Sequence, residues 1–127
     1  QNRLALQLAV LHKHGGVATH DQDVFVNVVG GIKVNETASD LVVMLAIMSS
    51  LRDRVIPNDW IAFGEVGLTG EVRPVYNAIE RLSEAQKHGF KVAIIPKGNL
   101  PKKAPKGLKI VPVEYLYQAL QYMSDNT

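Results

Sequence analysis

The stretch TASDLVVMLAIMSSLR, from Thr37 or Ala38 to Arg52, most constrains what this chain can fold into. It reads as a helix that is apolar around most of its circumference, so little of its surface can face water. It is too short to cross a membrane, and no other apolar run in the chain approaches that length. A helix of this kind has to be packed on several sides, which calls for a layered domain. At 127 residues the chain has room for one such core, and 46% hydrophobic with 20% charged residues is the balance of an ordinary globular domain.

The flanking sequence supplies the layers. RLALQLAVLHK, Arg3 to Lys13, reads as a helix with Leu4, Leu8 and Leu11 on one stripe, widened by Val10 and stopped at Gly15-Gly16. DVFVNVV, Asp23 to Val29, alternates as a strand, and Gly30-Gly31 allows a turn or bulge before IKV. WIAFGEV and GEVRPV are two strands around Gly67-Leu68-Thr69-Gly70, a hairpin signature. Asn77 to His88 is a helix, with Asn77 and Glu80 spaced for a capping box and Gly89 as its stop. KVAIIP and LKIVPV are short strands separated by a Pro/Lys-rich loop, and Glu114 to Met123 is a final helix. The order α-β-α-β-β-α-β-β-α predicts a single layered α/β (α+β) domain, 1–127, with helices packed on a mixed sheet.

Several function classes are excluded or weakened by the residues themselves. Without cysteine there is no disulfide, thiolate nucleophile or Cys-based zinc site, which fits a reducing cytoplasm. Nothing matches a phosphate-binding P-loop, so no nucleotide hydrolysis is expected of this piece. The N-terminus has no signal-peptide layout. Because the chain opens on Gln1 without methionine, we expect a piece of a longer protein. His12, His14 and His20 cluster with Asp21, but His12 and His14 are two apart on a helix and face different ways, so no metal site is expected.

Two features carry candidate chemistry. KGNLPKKAPKGLK gathers Lys97, Lys102, Lys103, Lys106 and Lys109 in a segment that prolines and glycines keep irregular. It reads either as a solvated loop or as a phosphate-contacting one. Arg52 and Arg54 close the central helix, where dipole compensation accounts for them equally well. A net charge of +2 does not decide the matter. No aromatic residue interleaves with these charges, so a stacking platform for single strands is not expected. The second feature is Ser39 beside Asp40 at a helix start. A serine nucleophile needs a base in hydrogen-bond reach, and Asp40, its helical neighbour, points about 100° away. Thr37-x-x-Asp40 also fits a capping box, with Ser39 an ordinary first-turn serine.

The blocks VFVNVVGGIKVNETASDL, SSLRDR and FGEVGLTGEVRPV, extended by QNRLALQLAVLHKHGG and EAQKHGFKVAIIPK, together resemble the C-terminal Lon-protease-like domain of the RadA (Sms) family of bacterial DNA-repair proteins. The resemblance covers nearly the whole chain. Lon proteases use a Ser-Lys dyad whose serine lies in Asp-Gly-Pro-Ser-Ala-Gly at a helix start. In that register Asn35 falls at the Asp, Glu36 at the first Gly, Thr37 at the Pro and Ala38 at the nucleophile. Ser39 and Asp40 take the last two places. Without gaps, Gly64-Glu65 and Gly70 fall on the Thr-Gly-Glu strand and the next hairpin glycine. Gly-Gly-Leu-Lys then falls on Tyr76, Asn77, Ala78 and Ile79, so Ile79 holds the lysine position.

The resemblance thus implies a Lon-type fold with a vestigial dyad, Ala38 and Ile79, and no catalysis. It implies a hexameric ring scaffold and a sequence-independent surface for duplex and branched DNA, serving branch migration of recombination intermediates. DNA contact is expected at Arg3, Lys102 and Lys103, then Lys106, Arg52 and Arg54. ATP, Mg and Zn belong to upstream zinc-finger and RecA-like ATPase domains of the family, not to this piece. Partners implied are DNA, further copies of the chain and a RecA-type recombinase through the parent protein, in the bacterial cytoplasm at the nucleoid, with no membrane. The alternatives are a serine peptidase using Ser39 with a repositioned lysine such as Lys33, or an oligomerisation module without DNA contact.

Overall fold

The computed structural model describes residues 37–127. The expected N-terminal helix and strand, the histidine cluster, Arg3, Lys33, Asn35 and Glu36 lie outside the described residues.

The apolar run forms a 3₁₀ turn, Thr37–Ser39, and helix α1, Asp40–Leu51. As its composition requires, α1 is buried from Leu41 to Met48 except at Val42 and Ala46. Strand β1, Trp60–Ala62, follows a loop. Strands β2, Glu65–Val66, and β3, Val72–Arg73, make the hairpin. Helix α2 spans Ala78–Lys87 and strand β4 Val92–Pro96. After a 3₁₀ turn at Lys97–Asn99 come strand β5, Lys109–Val113, and helix α3, Leu116–Asn126.

The strands β1, β4 and β5 form a parallel sheet with β4 in the centre, Ile61 opposite Ala93 and Ala93 opposite Ile110. Period-two alternation sorts each strand between two cores. Trp60, Ala62, Val92, Ile94, Val111 and Val113 face α1 and α3, where Leu41, Met44, Met48, Leu116 and Met123 fill the larger cluster. Ile61, Phe63, Ala93, Ile95 and Ile110 face α2, packing on Ala78, Leu82 and Ala85. The result is the expected α/β class, with helices on both faces of a parallel sheet.

Three expectations are corrected. The run WIAFGEV is not one strand: it breaks at Gly64, and its halves join different sheets. At Gly64 φ is +152°, and a Cβ would lie 2.9 Å from the Val72 side chain and 3.2 Å from Pro96, so only glycine passes this crossing unstrained. Among the described residues the antiparallel pairing is a separate two-stranded ladder, not part of a mixed sheet. The last helix starts at Leu116, not Glu114, because Tyr115 is extended and Gln118 closes a cap on the Glu114 and Tyr115 amides.

The hairpin turn is organised by Glu71, which accepts from the Thr69 amide and hydroxyl and from Arg73. Those bonds, the Thr69 hydroxyl first and Arg73 second, hold its carboxyl at about 2, below the ordinary 4.5. The Lys-rich segment 97–108 turns out to be the crossover between the parallel neighbours β4 and β5, a connection that no tight turn can make. It runs beside α2, buries Leu108 in that core and receives a hydrogen bond from Gln86 at the Lys106 carbonyl, 3.3 Å.

Candidate nucleic-acid interface

Both helix starts singled out by the sequence lie at the carboxyl end of the parallel sheet, and they are built differently. The first turn of α1 is fastened to the chain leaving β1. The Gly64 amide donates to the Ala38 carbonyl at 2.9 Å, and the Leu41 amide donates to the Gly64 carbonyl at 3.0 Å. The Asp40 carboxylate, 1% exposed, accepts from the Val66 amide at 3.0 Å. The expected Thr37/Asp40 capping box is therefore corrected. Ser39 stands at the N-cap without a side-chain cap bond, and Asp40 serves a tertiary contact to β2 instead. A strand amide is an equally good donor for that carboxylate, and it ties two elements together.

Ala38 is buried, and with Ser39, Val42 and Phe63 it lines a hollow of about 290 Å³ into which Arg81 of α2 reaches. The Arg81 guanidinium lies 5.8 Å from the Phe63 ring centre, and its Nε donates to the Tyr76 carbonyl at 3.1 Å. Ile79, which the resemblance sets at the lysine position, is 71% exposed and lines a different hollow. The side chain that α2 presents to Ala38 and Ser39 is Arg81, which sequence reasoning missed.

The start of α2 is open. Asn77 occupies the N-cap with φ +62° and no side-chain cap bond, so the expected Asn77/Glu80 capping box is corrected too. The left-handed region is one that asparagine tolerates better than most residues. The turn leaves Tyr76 90% exposed beside Ile79, at the rim of a hollow of about 760 Å³. The other wall is the crossover: Asn99, Leu100, Lys102 and Lys103.

This wall is fixed in place. The Asn99 side chain bridges the Val75 backbone in both directions, accepting from its amide at 2.8 Å and donating to its carbonyl at 3.1 Å. Gly98 lies so close to Pro74 that a Cβ would sit 2.5 Å from the ring. Neither contact has a local sequence signal, since the Val75–Asn99 partners are 24 residues apart.

The candidate cations separate into groups. Lys102 and Lys103 line the same hollow as Tyr76, at the carboxyl end of the sheet, and are exposed. Arg52 and Arg54 close α1 at the other end, where Arg54 donates to the Ser124 carbonyl at 3.3 Å near the end of α3. Lys106 also lies toward that end, by Gln86 in the last turn of α2, on the opposite face of the sheet. The five described cations do not form one surface. No aromatic interleaves with these lysines in the sequence, and in the fold Tyr76 lines the hollow that Lys102 and Lys103 also line.

Among the described residues no group of three or more His, Cys, Asp or Glu side chains could hold a metal ion. No helix among them is long and apolar enough to cross a membrane.

Comparison with known proteins gives the family. The model described as subunit ChlI of Mg-chelatase matches residues 5–99. DNA repair protein RadA of Pseudomonas aeruginosa is 67% identical over 120 residues, covering 94% of this chain and 26% of that protein. RadA of Escherichia coli is 61% identical over 125 residues, 98% of this chain and 27% of the relative. RadA of Bacillus subtilis is 45% identical over 122 residues, 94% and 26%. The chain spans about a quarter of the length of these curated relatives. It therefore belongs to the family described as subunit ChlI of Mg-chelatase, through a segment it has in common with DNA repair protein RadA.

Proposed function

We propose that this chain is a non-catalytic, Lon-like domain of a RadA-type DNA-repair protein. In this reading it contacts DNA without sequence preference and serves as a scaffold for a hexameric ring in branch migration. The observation that carries the DNA contact is the pair Lys102 and Lys103. They stand exposed on a crossover whose first residues are tied down by the Asn99 bridge and the Gly98–Pro74 approach. Lysines on such a loop meet phosphates as point charges, which gives affinity and salt dependence but no base readout. Copies arranged around a ring would repeat this positive edge, so a modest charge per chain suffices.

The two helix starts support the non-catalytic part of this reading. Ala38 has no hydroxyl, its carbonyl is taken by Gly64, and Ile79 is an apolar side chain on another hollow. A nucleophile with its base in hydrogen-bond reach is not assembled from these positions. ATP, Mg and Zn chemistry is assigned to other parts of the parent protein, and a RecA-type recombinase is its proposed partner.

Fluorescence anisotropy on labelled duplex DNA tests the reading. The Lys102→Ala/Lys103→Ala variant is expected to bind several-fold more weakly at low salt, with unchanged thermal stability. Unchanged binding would remove the lysine pair from the interface.

A further inference from the structure

Among the described residues, the Tyr76 ring packs into neither core cluster. It is 90% accessible, while both backbone groups beside it are pinned: Val75 by the Asn99 amide and the Tyr76 carbonyl by Arg81. A large exposed aromatic side chain that shares a hollow of about 760 Å³ with two lysines is the combination that single-strand-binding surfaces use. The ring offers a face for an unpaired base, and the lysines meet the adjoining phosphates. Leu100 and Ile79, both exposed, extend the apolar floor on which a base can lie. Glu80 lines the same hollow and repels phosphate, which places the sugar–phosphate backbone on the lysine side.

We infer that Tyr76 is a base-stacking platform, and that the hollow it shares with Lys102 and Lys103 takes a single-stranded nucleic acid with unpaired bases. The inference rests on the proposal that DNA lies against these lysines, and it adds which form of DNA the site selects. In an intact duplex every base face is already covered by its neighbours, so Tyr76 can gain a partner only where bases are unstacked.

The test is anisotropy of the 127-residue chain with a labelled oligo-dT strand, a duplex of equal length and an abasic strand of the same charge. Tyr76→Ala is expected to weaken oligo-dT binding about tenfold, the scale of losing one stacked base, and to leave duplex binding within about twofold. Tyr76→Phe keeps the ring face and restores the affinity. On the abasic strand, wild type and Tyr76→Ala bind equally. Lys102→Ala/Lys103→Ala weakens strand and duplex together.

If Tyr76→Ala changes neither DNA, or both equally, while the lysine variant weakens both, the stacking inference is overturned and the DNA proposal stands. If the lysine variant changes neither, the DNA proposal at this site falls with it. A Tyr76→Ala variant that alters the sedimentation of the chain and not its DNA binding also overturns the inference, in favour of a protein contact.

Discussion

The starts of α1 and α2 lie at the same end of one sheet, and they resolve the same problem in opposite ways. Each helix begins with amide groups that have no partner inside the helix. At α1 the Leu41 amide finds the Gly64 carbonyl and the Asp40 carboxylate is turned to Val66, so this start is closed into the fold. At α2 Asn77 supplies a left-handed turn and no cap, and the region stays open, with Tyr76, Ile79 and two lysines around it. The resemblance noted in the sequence would set the two halves of a protease dyad at these two starts. The α1 position is built into the fold and the α2 position lies on the surface, so each start follows its own surroundings.

Breaking the closed region should cost the most. Met44→Ala in α1, at a site 1% exposed, is expected to lower stability by about 2–5 kcal/mol in urea melts. Asp40→Ala leaves the Val66 amide buried without that acceptor, a loss of about 1–3 kcal/mol in the same assay. By contrast, Tyr76→Ala and Ile79→Ala at the open region should stay within about 0.5 kcal/mol of wild type. Equal losses at the two starts would erase the distinction.

The dyad positions offer a sharper probe. The double variant Ala38→Ser/Ile79→Lys sets a serine and a lysine at the two positions that the resemblance matches to a dyad. Because the two positions line different hollows, it is expected to show no labelling by a fluorophosphonate probe and no casein cleavage. Labelling would mean that the two starts still meet. Labelling of the wild-type chain that disappears in Ser39→Ala would revive the peptidase reading.

The smallest effect concerns the hairpin beside α1. Glu71 has a lowered pKa, so its contribution is present above about 4.5 and is lost as pH falls through about 2. The Thr69 and Arg73 side-chain resonances should titrate together near pH 2, and Glu71→Gln should abolish that step. A midpoint near 4.5 would show that the Glu71 contacts do not persist in solution.

Much of the fold was legible because it rests on local pattern. The apolar run of α1, the alternation in KVAIIP and the hairpin glycines each declare themselves within a few residues. What was not legible depends on distant partners. Thr37-x-x-Asp40 and Asn77-x-x-Glu80 both match a capping box, yet in one case β2 claims the carboxylate, and in the other the backbone turns left-handed. WIAFGEV reads as one strand, since the obstacle at Gly64 is the side chain of Val72 and the ring of Pro96. The lysine loop could be found by composition. Its tie to Val75 through Asn99 and the hollow it shares with Tyr76 could not, since the partners lie 24 residues apart. The exposed tyrosine before α2 was in plain view, but nothing in its flanking residues set it beside Lys102.

The most direct measurement is the salt dependence of DNA affinity for the wild-type chain against Lys102→Ala/Lys103→Ala. If these lysines each neutralise a phosphate, the slope of log K against log salt should become shallower by about two in the variant. An identical slope and affinity in the two proteins would contradict the assignment of DNA to the open end of the sheet.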